Sequence, residues 1–270
     1  MTTFLRPPAV AGRFYSDNPK RLTTDIRAYA GVTGDKLEAL GCVVPHAGYM
    51  FSGHVAGAVY ARLQLPGRYI ILCPNHTGMG KPLAIMSRGA WETPLGNVEI
   101  DSDLADKLKQ SCPQLMEDGV AHSAEHALEV QLPFLQVLAG KFTFVPITVG
   151  TGQLDALEAL GEAMGRVISS EDAWPLIISS SDMNHYEPDD ITRVKDRKAI
   201  DKIIALDPRG LFDVIREAEI SMCGYAPTVA MLTAVRRLGA REAQLIKYAT
   251  SGDISGDRNL VVGYAGIAVT

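Results

Sequence analysis

No uninterrupted apolar run in this 270-residue chain approaches the roughly 20 residues that a membrane-spanning helix needs, so no membrane is expected as a partner. Basic charge is scarce as well. Arg236 and Arg237 make only a short pair in a chain of net charge −5, which argues against a nucleic-acid surface. Cys42, Cys73, Cys112 and Cys223 are scattered with no C-x-x-C spacing, which argues against a thiolate zinc knuckle and a dithiol redox motif. Ser179, Ser180 and Ser181 have no G-x-S-x-G elbow around them, so serine hydrolysis is disfavoured. The first residues, MTTFLRPPAVAGRFY, lack a charged start with a long apolar core and lack a small-residue cleavage site; a cytoplasmic protein is expected. What is there is 47% apolar and 21% charged, the balance of an ordinary globular chain, read as one α/β domain over residues 1–270.

The chain's organisation centres on YIILCPNHTG, Tyr69 to Gly78, a short branched apolar run that ends at Pro74 and delivers His76. Such a run reads as a buried strand. The pattern recurs in GCVVPHAGY, where His46 follows Val43 and Val44, and in WPLIISSSDMNHY, where Asp182 and His185 follow Leu176, Ile177 and Ile178. In open α/β sheets ligands bind at the carboxyl ends of the strands, so His46, His76 and His185 are expected to share one rim. Asp182, three residues before His185, could fold back onto that imidazole.

The rest of the chain supplies cover. Helices are expected over Lys20–Tyr29, Ser52–Leu63, Leu104–Lys109 capped by Asp101, and Leu154–Ile168. The N-terminal stretch is expected to be extended, with Phe4, Val10 and Phe14 available to pack. Leu83, Ile85 and Met86 form an expected strand, Trp91–Ile100 a hairpin or extended cover, and Lys141–Gly150 a strand. Ser123 reads as the cap of a helix running past Leu138 to Gly140, kinked at Pro133, whose first turn would carry Glu125, His126 and Glu129. After Pro188 the charged run reads as a helix with Ile191, Val194, Ala199, Ile203 and Ile204 inward and its charges solvated; Leu211–Ala218 adds another. Pro227 suits the first position of a helix over Thr228–Leu238, which puts Cys223 near a helix amino end, where the dipole favours thiolate. Strands at Gln244–Tyr248 and Leu260–Val269 close the chain.

Taken singly, a histidine at a strand exit is most simply a hydrogen-bonded residue. Three such exits together with Cys223 point instead to a metal or catalytic cluster, and imidazole suits iron, copper and zinc alike. Glu125, His126 and Glu129 fit a supporting helix. His54 reads as a helix-surface residue and His122 as a loop residue, whereas Cys42 and Cys73 read as inert core.

In order along the chain, PHAGY at Pro45, PNHTG at Pro74, AEHALEVQLPF at Ala124, SSDMNHY at Ser180, CGYAPTV at Cys223 and VVGYAGIAV at Val261 resemble the motifs of the MEMO family. Gln131 stands where some members carry a second histidine. That family is similar in fold to the class III extradiol dioxygenases, which use non-haem Fe(II). The resemblance implies a three-layer α/β/α sandwich around a mixed, largely parallel sheet. It also implies metal ligands at His46, His76 and Cys223 and an acid/base role at His185; Glu125 and His126, on the helix read above, are the expected supporting residues of the catalytic pocket. Cys223 takes the place of those dioxygenases' carboxylate ligand, so the 2-His-1-carboxylate triad is not reproduced. The expected function is that of a metal-binding redox protein, oxygenase-like, with Fe(II) as cofactor and copper or zinc as the other fitting ions. A zinc hydrolase and a non-catalytic peptide- or metal-binding protein are the rival readings. The expected ligand is a small molecule or peptide, and AMMECR1-like and radical-SAM proteins are partners by family association.

Overall fold

The structure, a computed structural model, describes residues 4–31 and 34–270. Among them, twelve strands are connected in one mixed sheet: β1 Leu5–Arg6, β2 Gly41–Val44, β3 Arg68–Pro74, β4 Leu83–Ile85, β5 Ala90–Thr93, β6 Gly96–Ile100, β7 Met116–Glu117, β8 Thr143–Val149, β9 Leu176–Ser180, β10 His185–Glu187, β11 Ala243–Thr250 and β12 Val261–Val269. Ten helices cover it: α1 Pro19–Ala30, α2 Tyr49–Arg62, α3 Ser102–Ser111, α4 Val120–Ser123, α5 Leu132–Leu138, α6 Leu154–Ile168, α7 Asp189–Ile204, α8 Pro208–Glu217, α9 Tyr225–Arg237 and α10 Gly252–Ser255.

Four parallel strands in the order β8, β3, β9, β2 make the centre, and their near-continuous burial explains why they read as apolar runs rather than alternating ones. Successive side chains of β3 leave opposite faces. Ile70 and Leu72 pack with Leu157, Leu160, Met231 and Leu232 of α6 and α9, whereas Tyr69, Ile71 and Cys73 pack with Leu22, Val59 and Phe134 of α1, α2 and α5. Two cores on two faces give the expected three layers. β12 runs antiparallel to β2 and to β11, and β5 and β6 form the expected hairpin. No helix among the described residues is long and apolar enough to cross a membrane.

Most expected elements fall within a few residues of their places, α6 on the same bounds and α3 with Asp101 Oδ1 accepting from the Leu104 N–H at 3.1 Å. α2 begins earlier than expected, at Tyr49, where the Phe14 carbonyl accepts its N–H at 2.8 Å. Three expectations fail. The segment from Ser123 to Leu138 is not one kinked helix: Ser123 ends α4, its hydroxyl donating to the Val120 carbonyl, and an irregular turn and a 3-10 turn precede α5. Pro133 sits in the first turn of α5, where its missing N–H costs nothing, so it starts a helix instead of bending one. On α7, Ile191 and Val194 face solvent while Thr192, Asp196, Ala199, Ile200 and Ile203 face inward. Asp196 can be buried because Tyr248 Oη and the Asn184 N–H donate to it, at 2.6 and 2.8 Å. In the N-terminal stretch Val10 is buried, but Phe4 is 56% exposed.

Candidate metal centre

Because β2, β3 and β9 are parallel neighbours, their carboxyl ends lie on one edge, and the turns that follow carry His46, His76 and Asp182. Cys223 and His185 reach the same cavity from the turn before α9 and from β10. The cavity is about 520 Å³, with Phe14 and Tyr186 in its walls. One donor atom from each of His46, His76 and Cys223 lies within 4.8 Å of the other two. Cys223 Sγ and His46 Nε2 are 3.2 Å apart. Around a metal with N and S bonds of about 2.0 and 2.3 Å, ligand atoms sit roughly 3.1–3.6 Å from each other, so the residues present fit such an ion.

Each imidazole has its Nδ1 committed. His46 Nδ1 lies 3.0 Å from Ser180 Oγ, whose own proton goes to the Ala127 carbonyl and which also accepts from Gln131 Nε2 at 2.9 Å. With its single proton used, that hydroxyl can only accept from His46. His76 Nδ1 lies 2.9 Å from Glu125 Oε1, and His185 Nδ1 lies 2.9 Å from the Ser221 carbonyl. All three acceptors therefore place the proton on Nδ1 and leave Nε2 with a free lone pair.

Glu125 is fully buried at the base of this arrangement, accepting also from the His76 and Ala127 N–H groups. Burial alone would raise its carboxyl, but the hydrogen bond and charge of His76 outweigh it and hold the group down at about 2. Burial works to lower His76, yet the bond to Glu125 prevails and raises it. His46 is lowered well below its ordinary value by burial and by the neighbouring His76 and His126. Burial likewise lowers His126 and raises Asp182.

Several expectations need correction here. Asp182 does not fold onto His185: Oδ1 accepts from the His46 and Ala47 N–H groups at 2.8 and 3.3 Å, because the PHAGY turn offers it two backbone donors. Cys223 stands two residues before α9, but burial and the Asp182 charge push its thiol up, not down. Glu125 and His126 line the site from an irregular turn, and Glu129 points away to Arg6 and Tyr15. His126 stacks on His76 with centroids 4.8 Å apart and planes at 24°. His76, Glu125 and His126 also bring donor atoms within 4.8 Å, but there Glu125 Oε1 is already engaged by His76 Nδ1 at 2.9 Å. His122, expected in a loop, is fully buried against Thr148 Oγ1 at 2.9 Å. Cys42 and Cys73 are core residues as expected.

Sequence reasoning missed Ser180, Gln131 and Ser221 as partners of the histidines. It also gave no weight to Tyr186, which is 72% exposed at the mouth with a left-handed φ of 59°. A bulky residue in that region stores strain, a signal carried only by the backbone.

The model of the Memo-like protein family matches residues 6–268. A MEMO1 family protein of Methanopyrus kandleri is 46% identical, with 97% of this chain and 98% of the relative covered. Another, of Methanothermobacter thermautotrophicus, is 42% identical over 97% of this chain and 99% of its own length. Among solved structures, an uncharacterized protein from Escherichia coli K12 shares the fold, with a TM-score of 0.51 at 12% identity over 84% of this chain and 98% of that one. With the family matched from β1 to β12 and relatives this similar over nearly their whole length, the chain belongs to the Memo-like protein family.

Proposed function

We propose that this protein holds Fe(II) through His46, His76 and Cys223 and acts as a non-haem iron oxygenase-like enzyme on a small molecule. The observation that carries the reading is the gathering of donor atoms from His46, His76 and Cys223 within 4.8 Å of one another, with His46 Nε2 3.2 Å from the thiol and the Nδ1 atoms of both rings already bonded to Ser180 and Glu125. When bound, iron supplies one-electron redox chemistry and a Lewis-acid position for a chelating substrate. The chain's own residues do the rest. Glu125 fixes the His76 ring and raises its basicity, as carboxylate partners of metal-binding histidines do. Burial and the Asp182 charge raise the Cys223 thiol, so as a metal ligand Cys223 would have to give up its proton to bind as thiolate. His185, with Nδ1 tied to the Ser221 carbonyl, presents Nε2 to the cavity as a proton acceptor, and Phe14 closes the wall beside His126.

The thiolate in place of a carboxylate also suits copper and zinc, so the rival with most support is a zinc hydrolase in which His185 takes a proton from water. Metal analysis of protein purified without air, followed by O2 consumption with catecholic and indolic compounds, separates the two. Stoichiometric iron with O2 uptake, both lost in His46→Ala and His76→Ala, is the expected result. Stoichiometric zinc without O2 uptake would overturn the oxygenase reading, and unchanged metal affinity in both alanine variants would overturn the ligand set.

A further inference from the structure

His185 and Cys223 come from different segments, and one buried side chain joins them. Asn184 is fully buried and uses both ends of its amide. Its Oδ1 accepts from the Ser221 N–H and from Ser221 Oγ, each at 3.0 Å. Its Nδ2 donates to Glu187 Oε2 at 2.6 Å and to Thr192 Oγ1 at 3.3 Å, and its backbone N–H donates to Asp196. Ser221 in turn accepts from His185 twice, its Oγ from the backbone N–H at 2.8 Å and its carbonyl from Nδ1 at 2.9 Å. A carbonyl oxygen can only accept, so the placement of Ser221 decides which nitrogen of His185 carries the proton.

We infer that Asn184 is a positioning residue that sets two parts of the site at once: through Ser221 it fixes His185 as the Nδ1–H tautomer with Nε2 facing the cavity, and it anchors the turn that holds Cys223 beside His46. The same turn is tied to the β9–β10 loop at its other end, where the Gly224 N–H donates to Ser181 Oγ at 3.0 Å and Cys223 Sγ makes a long contact of 3.6 Å with the Asp182 carbonyl; Asn184 is the anchor at the Ser221 end, the end that His185 bonds. The roles of His185 and Cys223 rest on the function proposed above, but the tautomer does not, so the two can fail separately.

The test uses protein labelled with 15N at histidine. Long-range 1H–15N spectra of the metal-free wild type should show His185 as Nδ1–H. Asn184→Ala should shift His185 toward the Nε2–H form that imidazole prefers in water and should weaken copper or iron binding at least about tenfold, the usual effect of losing an outer partner, while a cooperative melt is kept. Thr192→Val, which removes the weaker of the two Nδ2 contacts together with the hydroxyl's own 3.3 Å bond to the Glu187 carbonyl, should change neither. An unchanged tautomer and affinity in Asn184→Ala, or equal losses in Thr192→Val, would overturn the inference. If Asn184→Ala does not fold, the wild type decides: an Nε2–H His185 overturns the clamp, and an Nδ1–H His185 with Asn184 amide protons protected from exchange supports it. A wild type that binds no metal yet shows the tautomer sinks the proposed function and leaves the clamp standing.

Discussion

An imidazole binds a metal only through a nitrogen that carries no proton, and at His46, His76 and His185 it is the acceptor beside Nδ1 that settles which nitrogen that is. Position, not tautomer, separates the proposed ligands from the proposed proton carrier. His46 Nε2 faces Cys223 Sγ at 3.2 Å, whereas His185 stands outside the three-residue group. His185→Gln is therefore expected to keep most metal affinity and to lose at least about 100-fold in turnover, the usual size of a general acid/base contribution. Cys223→Ser is expected to weaken metal binding itself, because a hydroxyl replaces the thiolate. Calorimetric titration of both variants checks this; if His185→Gln loses the metal while Cys223→Ser retains it, the roles are exchanged and the mechanism fails. The residues that end apolar runs were legible because a histidine after Val-Val-Pro or Leu-Cys-Pro-Asn is conspicuous in one dimension. Their partners were not. Ser180 lies 134 residues from His46, Glu125 lies 49 from His76 and Ser221 lies 36 from His185, and no periodicity links such pairs. Asp182 was misassigned for the same reason: three residues of sequence separation suggested His185, but the two backbone donors of the PHAGY turn are nearer in space.

At the level of the element, α7 shows how tertiary partners override a polarity pattern. Reading every charge as solvated put Ile191 and Val194 inward, but Asp196 wins an inward place by its bonds to Tyr248 and Asn184, and the helix turns accordingly. The segment before α5 failed in a related way: Leu128, Leu132 and Leu135 recur at helical spacing and are all buried, yet Glu125 and Glu129 accept N–H groups from elsewhere and the backbone before α5 runs in turns. The buried carboxyl of Asp196 has a measurable consequence. Burial pushes it up to about 7 from 3.8, against the hydrogen bonds of Tyr248 and Asn184 and the Arg193 charge, with Glu187 adding to the rise. Between those values the folded chain holds a proton that the unfolded chain has released, so stability falls as pH rises from about 4 to about 7. At roughly 1.4 kcal/mol per unit, the ceiling of that loss is on the order of 4 kcal/mol. Asp196→Asn keeps an acceptor for the Asn184 N–H and removes the titration. Urea unfolding at pH 5 and pH 8 should show wild type losing about 1–4 kcal/mol relative to the variant across that interval; parallel behaviour of the two proteins would mean that Asp196 is ionised throughout.

At the scale of the whole molecule, the central parallel strands were legible as apolar runs, but the order in which they pair was not, because any of them could have lain beside any other. Least legible was the strap before α1. Nothing in the sequence singles out Arg6, yet it is 1% exposed, 4.0 Å over the Trp91 ring and 2.7 Å from Glu129, which is itself fully buried. Glu129 also accepts from the Ala9 and Val10 N–H groups and from Tyr15 Oη, so one carboxylate gathers the strap onto the sheet. Arg6 further donates to the His122 and Glu125 carbonyls, each at 2.7 Å, and the second of these belongs to the residue that orients His76. A single guanidinium thus links the edge of the sheet at β1 to the candidate metal centre. Arg6→Ala leaves the Glu129 charge buried without its cation and two carbonyls without their donors, so it is expected to cost about 3–5 kcal/mol in urea unfolding. Destabilisation alone would say nothing about the site, and Leu157→Ala supplies the comparison: Leu157 is fully buried in the core on the other face of the sheet, and its loss is expected to cost a similar 2–5 kcal/mol. If the strap holds the Glu125 turn in place, Arg6→Ala lowers metal affinity while Leu157→Ala, equally destabilised, binds like wild type. Equal affinities in the two variants would show that Arg6 stabilises the fold without any hold on the centre.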